Sequence, residues 1–308
     1  MTQSLLIDTD PGIDDALAIL MAAAHPNVRI AALTITAGNV GLNHTLANAL
    51  KLREVANIDT PIFPGASLPL VATPDDAAHV HGHDGFGDTG YEAARGEAEH
   101  EHAALAMLRL SRERPGELTF VMLGPLTNLA LALSLDPSLP ERVPRLVIMG
   151  GAVSAHGNMR VPVEFNIGFD PEAAKIVFER WPHFELVDWE ATLRHALPHE
   201  SCAQWFAADH PLAKFYRSIS HNSRAWSAQR RGPSWPCADA LAMAHVLEPQ
   251  SALEVITRAA SVELGGHYTR GMTVVDWSQE HGHHVNADIV MRYDQARFEA
   301  MVRAAVGA

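Results

Sequence analysis

The segment that decides the fold lies close to the N-terminus, where residues 4–15 read SLLIDTDPGIDD. Its first four residues are mostly apolar and predict a short buried β-strand, which ends at the turn formed by Pro11 and Gly12. Residues 14–24 are rich in Ala and Leu at helical spacing, so they predict a helix directly after that turn. A strand, a polar loop and a helix in this order form the first part of a β/α unit.

The same alternation of apolar strands and helices continues along the chain. Further strands are predicted at residues 28–36, 118–123, 146–149, 185–187 and within 253–290, and helices at residues 43–55, 126–135, 171–179, 211–228, 238–247 and 293–305. Buried strands joined by helices predict an α/β fold with a single open, mainly parallel sheet and helices on both faces. Residues 64–96 are polar and aperiodic and predict a long loop over a functional site. No repeat or linker is evident, which predicts one domain, 1–308.

Composition and charge limit the class of protein. The chain has 308 residues, of which 47% are hydrophobic and 19% charged, an ordinary globular balance. A net charge of −13 argues against a nucleic-acid partner. Two cysteines do not make a disulfide framework, and no signal segment or apolar run of about 18 residues is evident. These features predict a cytoplasmic protein that does not span a membrane.

Four carboxylates, those of Asp8, Asp10, Asp14 and Asp15, lie at the first strand-to-helix junction. Each alone is also typical of a helix cap or a turn. Together they repel one another unless a cation joins them, and ligands that are all oxygen favour a hard ion, Ca²⁺ or Mg²⁺. Ligands of open α/β sheets bind at this kind of position, beyond the carboxyl ends of the strands.

Residues 8–16, DTDPGIDDA, resemble the signature of the inosine–uridine nucleoside hydrolase family. Other motifs similar to those of this family follow in the family's order: AGN at residues 37–39, GPLTN at 124–128, MGG at 149–151, EFN at 164–166 and DA at 239–240. The resemblance therefore covers nearly the whole chain. It implies a Rossmann-like nucleoside hydrolase fold, hydrolysis of ribonucleosides to ribose and free base, and a homodimer or homotetramer.

The resemblance also implies one Ca²⁺ ion as the cofactor, at the bottom of the site. Its expected carboxylate ligands are Asp10, Asp15 and Asp239, with a backbone carbonyl ligand from Leu123. The family often has Thr at the latter position, and a carbonyl ligand tolerates that change. The other expected substrate contacts are Asp14 and Asn39 at the ribose hydroxyls, Glu164, Asn166 and Asn158 at the 5′ end, and Met149.

The reaction explains why such groups are needed. Cleavage of a ribosyl bond passes through an oxocarbenium-like state, which nearby carboxylates stabilise. Water attacks from the face opposite the base, and a cation lowers the pKa of that water. Asp10 is the expected general base, because a carboxylate beside the ion is placed to take the proton.

Assistance to the leaving base is where this sequence departs from the family. Many members have a His directly before the last Asp ligand, whereas this chain has Ala238. The resemblance places His81 at a base-contacting position, so it is a candidate acid. Trp226 is the other candidate, because a base that stacks on an aromatic ring can leave with a proton from solvent. The resemblance places His221 and Arg224, on the same predicted helix as Trp226, in the region that lines the base pocket in the family.

Three other interpretations remain open from the sequence. A haloacid-dehalogenase-like phosphatase also has an Asp-x-Asp pair after a strand, although Gly12 departs from its motif. A zinc hydrolase is suggested by the run HVHGHD at residues 79–84, with further histidines at positions 281, 283 and 284. A ribonucleoside-binding protein with weakened turnover is suggested by Ala238. The choice between purine, pyrimidine and another ribosylated compound is left open.

Overall fold

Twelve β-strands and twelve α-helices make up most of the computed structural model, which describes residues 2–280 and 282–308. The strands are β1 (Gln3–Thr9), β2 (Val28–Ile35), β3 (Ile62–Pro64), β4 (Leu118–Met122), β5 (Arg145–Met149), β6 (Phe184–Val187), β7 (Leu197–Pro198), β8 (Ser234–Trp235), β9 (Ala252–Arg258), β10 (Ala260–Val262), β11 (Thr273–Val275) and β12 (Ala287–Tyr293). The helices are α1 (Ile13–Ala24), α2 (Leu42–Val55), α3 (Ala78–His81), α4 (Ala103–Glu113), α5 (Thr127–Leu135), α6 (Phe165–Phe169), α7 (Pro171–Arg180), α8 (Trp189–Arg194), α9 (His199–Trp205), α10 (Pro211–Arg231), α11 (Ala238–Leu247) and α12 (Gln295–Val306). Two short 3₁₀ helices cover Leu139–Arg142 and Pro249–Ser251.

One sheet contains eight of the described strands, in the order β3-β2-β1-β4-β5-β6-β12-β9. Neighbouring strands are parallel except β12 and β9, which pair antiparallel at one edge. The other described strands form two small antiparallel pairs, β7–β8 and β10–β11. The predicted α/β class with an open, mainly parallel sheet is therefore confirmed.

Helices cover both faces of this sheet, and β1 shows how its side chains serve the two layers. Leu5 and Ile7 belong to one apolar cluster and Leu6 to the other, as the period of two along a strand requires. The first cluster includes residues of α1, α2, α10, α11 and α12, and the second includes residues of α4, α5 and α7. Because β1 is buried on both faces, its sequence is a continuous apolar run.

The order of the strands reverses between β1 and β4, and this reversal places the site. From β1 the chain moves outward through β2 and β3, and it then returns to the other side of β1 with β4. The helices that follow these strands pack in different layers, α1 in the first and α5 in the second. A crevice therefore opens beyond the carboxyl ends of β1 and β4, where the predicted site residues follow the strands.

Most predicted elements agree with the structure to within about one or two residues, as expected for helix and strand ends. The elements missed were the strands β3, β7 and β8 and the helices α4, α6, α8 and α9. β3 has only three residues and shows no period of its own. α4 does carry a signal, since Ala103, Met107 and Leu110 recur on its buried side. The predicted loop at residues 64–96 is largely irregular, but it contains the short helix α3.

Two further features concern the chain as a whole. Cys202 and Cys237 are both free and buried. None of the described helices combines the length and the apolar character needed to cross a bilayer. The organisation as one domain stays a prediction.

Candidate active site

A cavity of about 290 Å³ lies beyond the carboxyl ends of β1, β4 and β5. This volume approaches the ~300–1,000 Å³ that small-molecule sites occupy. All the predicted site residues line this cavity except Asp15. Those in the wall are Asp10, Asp14, Asn39, His81, Leu123, Met149, Asn158, Glu164, Asn166, Trp226 and Asp239.

Asp10 follows β1 and is enclosed by two glycines. A Cβ atom at Gly38 would lie 2.1 Å from one Asp10 carboxylate oxygen, and a Cβ atom at Gly124 would lie 2.5 Å from the other. Only glycine leaves room for the carboxylate at these two positions. The backbone N–H of Asn39 donates a hydrogen bond of 2.6 Å to Asp10 Oδ2. The carboxylate is therefore fixed in place on three sides.

Asp15 is buried at the start of α1 and is held by three donors. It accepts hydrogen bonds from the hydroxyl of Thr9, from the backbone N–H of Gly12 at 2.9 Å and from Nδ2 of Asn39 at 3.0 Å. The same Asn39 amide also donates to the backbone carbonyl of Asp10 at 3.1 Å. Asn39 thus ties the end of β1 to the start of α1, and it also lines the cavity.

Three carboxylates meet at the bottom of the site. Oxygen atoms of Asp14, Asp15 and Asp239 lie within 4.8 Å of one another. Asp14 and Asp15 begin α1 and Asp239 begins α11, so the cluster forms where these two helix N-termini come together. Asp10 is not a member of this trio, although it was the first of the predicted ligands.

Burial makes these carboxylates costly to ionise. It raises the pKa of Asp10 well above its usual range, and the charges of Asp15 and Asp14 raise it further. It does the same for Asp239, where the charges of Asp14, Asp15 and Asp10 add to the effect. The pKa values of Asp14 and Asp15 are raised mainly by burial as well. A bound cation would reverse these effects, because an opposite charge within about 4–6 Å favours the charged form. The donor set, all oxygen, fits a hard cation.

The carbonyl of Leu123 and the side chain of Asn166 connect β4 to β5. Nδ2 of Asn166 donates to the Leu123 carbonyl at 2.6 Å and is 3.3 Å from the carbonyl of Met149. One lone pair of the Leu123 oxygen remains for another partner. The carbonyl is therefore oriented by a side chain that itself lines the cavity.

Glu164 caps the N-terminus of α6 from within the cavity wall. Its carboxylate accepts hydrogen bonds from the backbone N–H groups of Asn166 at 3.0 Å, Ile167 at 3.2 Å and Gly151 at 2.9 Å. Burial nevertheless raises the pKa of Glu164 to about 7. Asn158, on the preceding loop, accepts a hydrogen bond of 2.8 Å from the backbone N–H of Phe165. Two of the three predicted 5′ contacts, Glu164 and Asn158, thus brace α6.

His81 lies at the end of α3 with one ring nitrogen already occupied. Its Nδ1 accepts a hydrogen bond of 3.1 Å from the backbone N–H of Ile13. A ring nitrogen that accepts carries no proton, so the neutral imidazole holds its proton on Nε2. Burial lowers the pKa of His81 to about 4, which keeps the ring neutral near pH 7. In this state His81 donates a hydrogen bond from Nε2.

One face of the long helix α10 forms another wall. Ser223, Trp226, Ser227 and Arg231 line the cavity, and spacings of three and four residues bring them to one side of the helix. Trp226 was predicted, but the two serines and Arg231 were not. Their signal was available, since Ser223 lies three residues before Trp226 and four before Ser227, which in turn lies four before Arg231.

His221 and Arg224 were placed with Trp226 on sequence grounds, and the structure corrects this. His221 is exposed, and the Arg224 guanidinium lies 5.2 Å from the centre of the Phe206 ring. Neither side chain lines the cavity. A position near Trp226 in sequence is therefore not enough to place a side chain on the cavity wall.

The histidine-rich run does not make a metal site in the part of the chain that the structure describes. There, the group formed by Asp14, Asp15 and Asp239 is the one cluster of His, Cys, Asp or Glu with metal-ligand spacing. His79 packs edge-on against Trp226 with ring centres 5.8 Å apart. Position 281, the first of the other histidines, lies outside the described residues.

The fold and the site together define an α/β enzyme with a carboxylate-lined cavity at the switch point of its sheet. The family model described as Inosine-uridine preferring nucleoside hydrolase matches residues 5–300. The chain belongs to this family and is a ribonucleoside hydrolase, which cleaves the N-glycosidic bond. Membership of this family decides against the phosphatase alternative.

Three relatives show how far the similarity extends. The inosine-uridine preferring nucleoside hydrolase of Crithidia fasciculata is 31% identical over 98% of this chain and 96% of its own length. The pyrimidine-specific ribonucleoside hydrolase RihA of Escherichia coli O9:H4 (strain HS) is 33% identical over 97% of this chain and 96% of its own. The solved structure of an inosine-guanosine nucleoside hydrolase superposes with a TM-score of 0.93 at 31% identity, covering 100% and 99% of the two chains.

Proposed function

We propose that the chain hydrolyses ribonucleosides with one Ca²⁺ ion in the carboxylate cluster. The observation that carries this proposal is the group of carboxylate oxygens from half-buried Asp14 and buried Asp15 and Asp239, within 4.8 Å of one another. Buried like charges this close are costly unless a cation joins them. Oxygen donors favour calcium over zinc, because Ca²⁺ takes about 6–8 oxygen ligands.

The proposed ligands are the carboxylates of Asp10, Asp15 and Asp239 and the carbonyl of Leu123. Asp14 belongs to the same cluster of carboxylates as Asp15 and Asp239. We assign Asp14, together with Asn39, to the ribose hydroxyls. When bound, the ion supplies a positive centre that favours the charged carboxylates and stabilises negative charge on oxygen. Asp10 then regains the charge that burial disfavours, which a general base needs.

Asp10 is the proposed general base. Water adds to the anomeric carbon, its proton passes to the Asp10 carboxylate, and the C–N bond breaks with its electron pair on the base. The negative charge of Asp14 stabilises the positive charge that develops on the ribose. The groups proposed to hold the rest of the sugar are Met149, Asn158, Glu164 and Asn166. A sugar held at both ends keeps its reacting carbon in line with the attacking water.

The departing base is proposed to leave with help from His81 and Trp226. Ala238 offers no polar side chain for this purpose. Neutral His81 offers the N–H of Nε2, which stabilises negative charge on the base without an imidazolium ion. The half-buried ring of Trp226 offers a stacking surface on the cavity wall.

The proposal is tested by base release from a panel of nucleosides, measured with purified protein before and after chelation. We expect turnover to be lost with the chelator and restored by Ca²⁺, and metal analysis to find about one ion per chain. Asp239→Asn should weaken Ca²⁺ binding in calorimetry, because it removes a ligand.

Asp188→Asn is the matched control, because Asp188 is also a buried carboxylate with a pKa raised by burial, to about 6, but it lies outside the trio and the cavity wall. Full turnover in the chelated protein would contradict a metal role. Strong nucleoside binding without base release would favour the alternative of weakened turnover.

Assembly, domain organisation and location complete the proposal. We propose a homodimer or homotetramer of single-domain chains in the cytoplasm. Light scattering on the eluting protein checks the first point, and a single cooperative unfolding transition checks the second. A monomer at micromolar concentration would contradict the proposed assembly.

A further inference from the structure

The buried face of α10 changes along the helix from apolar side chains to serines. Up to residue 219 the buried residues are Ala213, Tyr216 and Ile219, and from residue 220 onward they are Ser220, Ser223 and Ser227. A buried helix face is normally apolar throughout, because a buried hydroxyl loses its hydrogen bonds to water. The serines therefore need a reason other than packing.

Ser227 and Ser220 have similar surroundings in one respect and differ in another. Both hydroxyls are buried, at 2% and 0% exposure, and neither has a hydrogen-bond partner within the described residues. They lie seven residues apart, about two turns of one helix. Ser227 lines the cavity, whereas Ser220 does not. An unpaired buried hydroxyl costs stability at either position, but only at Ser227 can a molecule in the cavity supply the partner.

The surroundings of Ser227 indicate what that molecule presents. The adjacent Trp226 offers a ring to a planar ligand, and Arg230 and Arg231 hold that ring, with guanidinium carbons 4.9 and 5.7 Å from its centre. Arg231 is also 4.9 Å from the centre of the Trp189 ring, and both Arg231 and Trp189 line the cavity. A flat ring with polar groups at its edge matches this wall.

We propose that Ser227 is a specificity-determining residue, whose hydroxyl hydrogen-bonds the edge of the nucleobase, with Arg231 one turn further along the helix. This rests on the proposed function. A hydroxyl both donates and accepts, whereas guanidinium only donates. The pair therefore complements a base edge that has a hydrogen-bond acceptor beside a donor, and it selects nucleosides over ribosides whose leaving group has no such edge.

The test compares Ser227→Ala with Ser220→Ala on inosine and on 4-nitrophenyl riboside, whose leaving group has no base edge. Ser227→Ala should lower kcat/KM for inosine by about 10- to 100-fold, as expected when a polar group of the substrate loses its buried partner. The nitrophenyl substrate should be unaffected. Ser220→Ala should leave both rates unchanged, and neither variant should lower Tm, since each removes an unsatisfied hydroxyl.

Arg231→Gln and Arg230→Gln extend the comparison, because both arginines contact Trp226 but only Arg231 lines the cavity. Arg231→Gln should lower kcat/KM for inosine relative to that for 4-nitrophenyl riboside, and Arg230→Gln should not. Equal inosine kinetics in Ser227→Ala and Ser220→Ala would overturn the proposal, as would equal slowing of inosine and the nitrophenyl riboside by Ser227→Ala.

Binding of free hypoxanthine, measured by calorimetry, separates this proposal from the proposed function. If the wild-type protein releases no base but binds hypoxanthine about tenfold more tightly than Ser227→Ala does, base recognition stands and the hydrolytic proposal fails. If hypoxanthine binds wild type and Ser227→Ala equally, the role of Ser227 fails whatever the turnover.

Discussion

The two ends of the cavity, which we propose hold the sugar and the base, differ in how their polar atoms are satisfied. At the sugar end, carboxylates such as Asp10 and Glu164 accept hydrogen bonds from backbone N–H groups that follow the strands of the central sheet. At the base end, one face of α10 supplies a half-buried Trp226, an exposed Arg231 and the hydroxyl of Ser227, which has no partner in the described structure. The sugar end is therefore fixed before a ligand arrives, and the base end is completed by the ligand.

This difference matches what the two ends have to do. Charge development on the ribose demands groups that are already oriented, because reorganising them during the reaction costs rate. Recognition of the base needs only a few contacts on a helix face, which substitutions change without disturbing the sheet. The relatives described above differ in the bases that their names give, pyrimidines for one and inosine and guanosine for another, although both match nearly the whole chain.

The largest effect is expected at the sugar end, from Asp10→Ala. Loss of a general base alone lowers kcat by about 10²–10⁴-fold, and loss of a metal ligand adds to this. Steady-state kinetics on inosine measures the drop. Asp10→Asn is the control for packing, because it fills the space between Gly38 and Gly124 and should be equally slow but fully folded. Turnover near the wild-type rate in either variant would remove Asp10 from the mechanism.

A smaller effect is expected when the ligand loses a hydroxyl. Adenosine should be hydrolysed about 10²-fold faster than 2′-deoxyadenosine, because the deoxy sugar lacks a hydroxyl that Asp14 and Asn39 are proposed to bind. In Asp14→Ala that ratio should shrink, since the discriminating contact is already gone. Equal rates on the two substrates would contradict the assignment of the sugar end.

At the base end the expected effects are more modest and depend on the leaving group. If His81 assists the base through Nε2, His81→Ala should slow inosine by about tenfold and leave 4-nitrophenyl riboside nearly unchanged, because that leaving group needs no assistance. If stacking on Trp226 assists the departing base instead, Trp226→Ala should be the variant that slows inosine and leaves 4-nitrophenyl riboside nearly unchanged. Equal slowing of both substrates by both variants would mean that neither residue acts on the base.

The smallest effect concerns stability and Glu164. Burial raises its pKa to about 7, so the folded chain retains a proton that the unfolded chain releases near its usual value of 4.5. The stabilising contribution is therefore complete below about pH 4.5 and is lost as the pH rises through 7. In chelated protein, Tm should fall between pH 5 and 8, less steeply in Glu164→Gln than in wild type. The exposed Glu141→Gln is the control, and identical slopes in all three would contradict the raised pKa.

The sequence predicted the sugar end better than the base end, for a physical reason. Asp10, Asn39 and Glu164 directly follow strands or precede helices, so short segments fix their place. The cavity-lining residues of α10 lie within a long helix, so no nearby strand end or helix start indicates their place. His221 and Arg224 are near Trp226 in sequence but lie off the cavity wall, whereas Ser227 and Arg231 lie on it.

The sequence by itself determined the alternation of strands and helices, the apolar run of β1 and the polar segments at the strand ends, because these depend on neighbours a few positions apart. Only the tertiary structure decided that Asp14 and Asp15 meet Asp239, because that requires α1 and α11 to pack side by side. It also decided the tautomer of His81, through a contact with Ile13 on another element. The rotation of α10 is set by its buried apolar residues, and that packing decides which serine reaches the cavity.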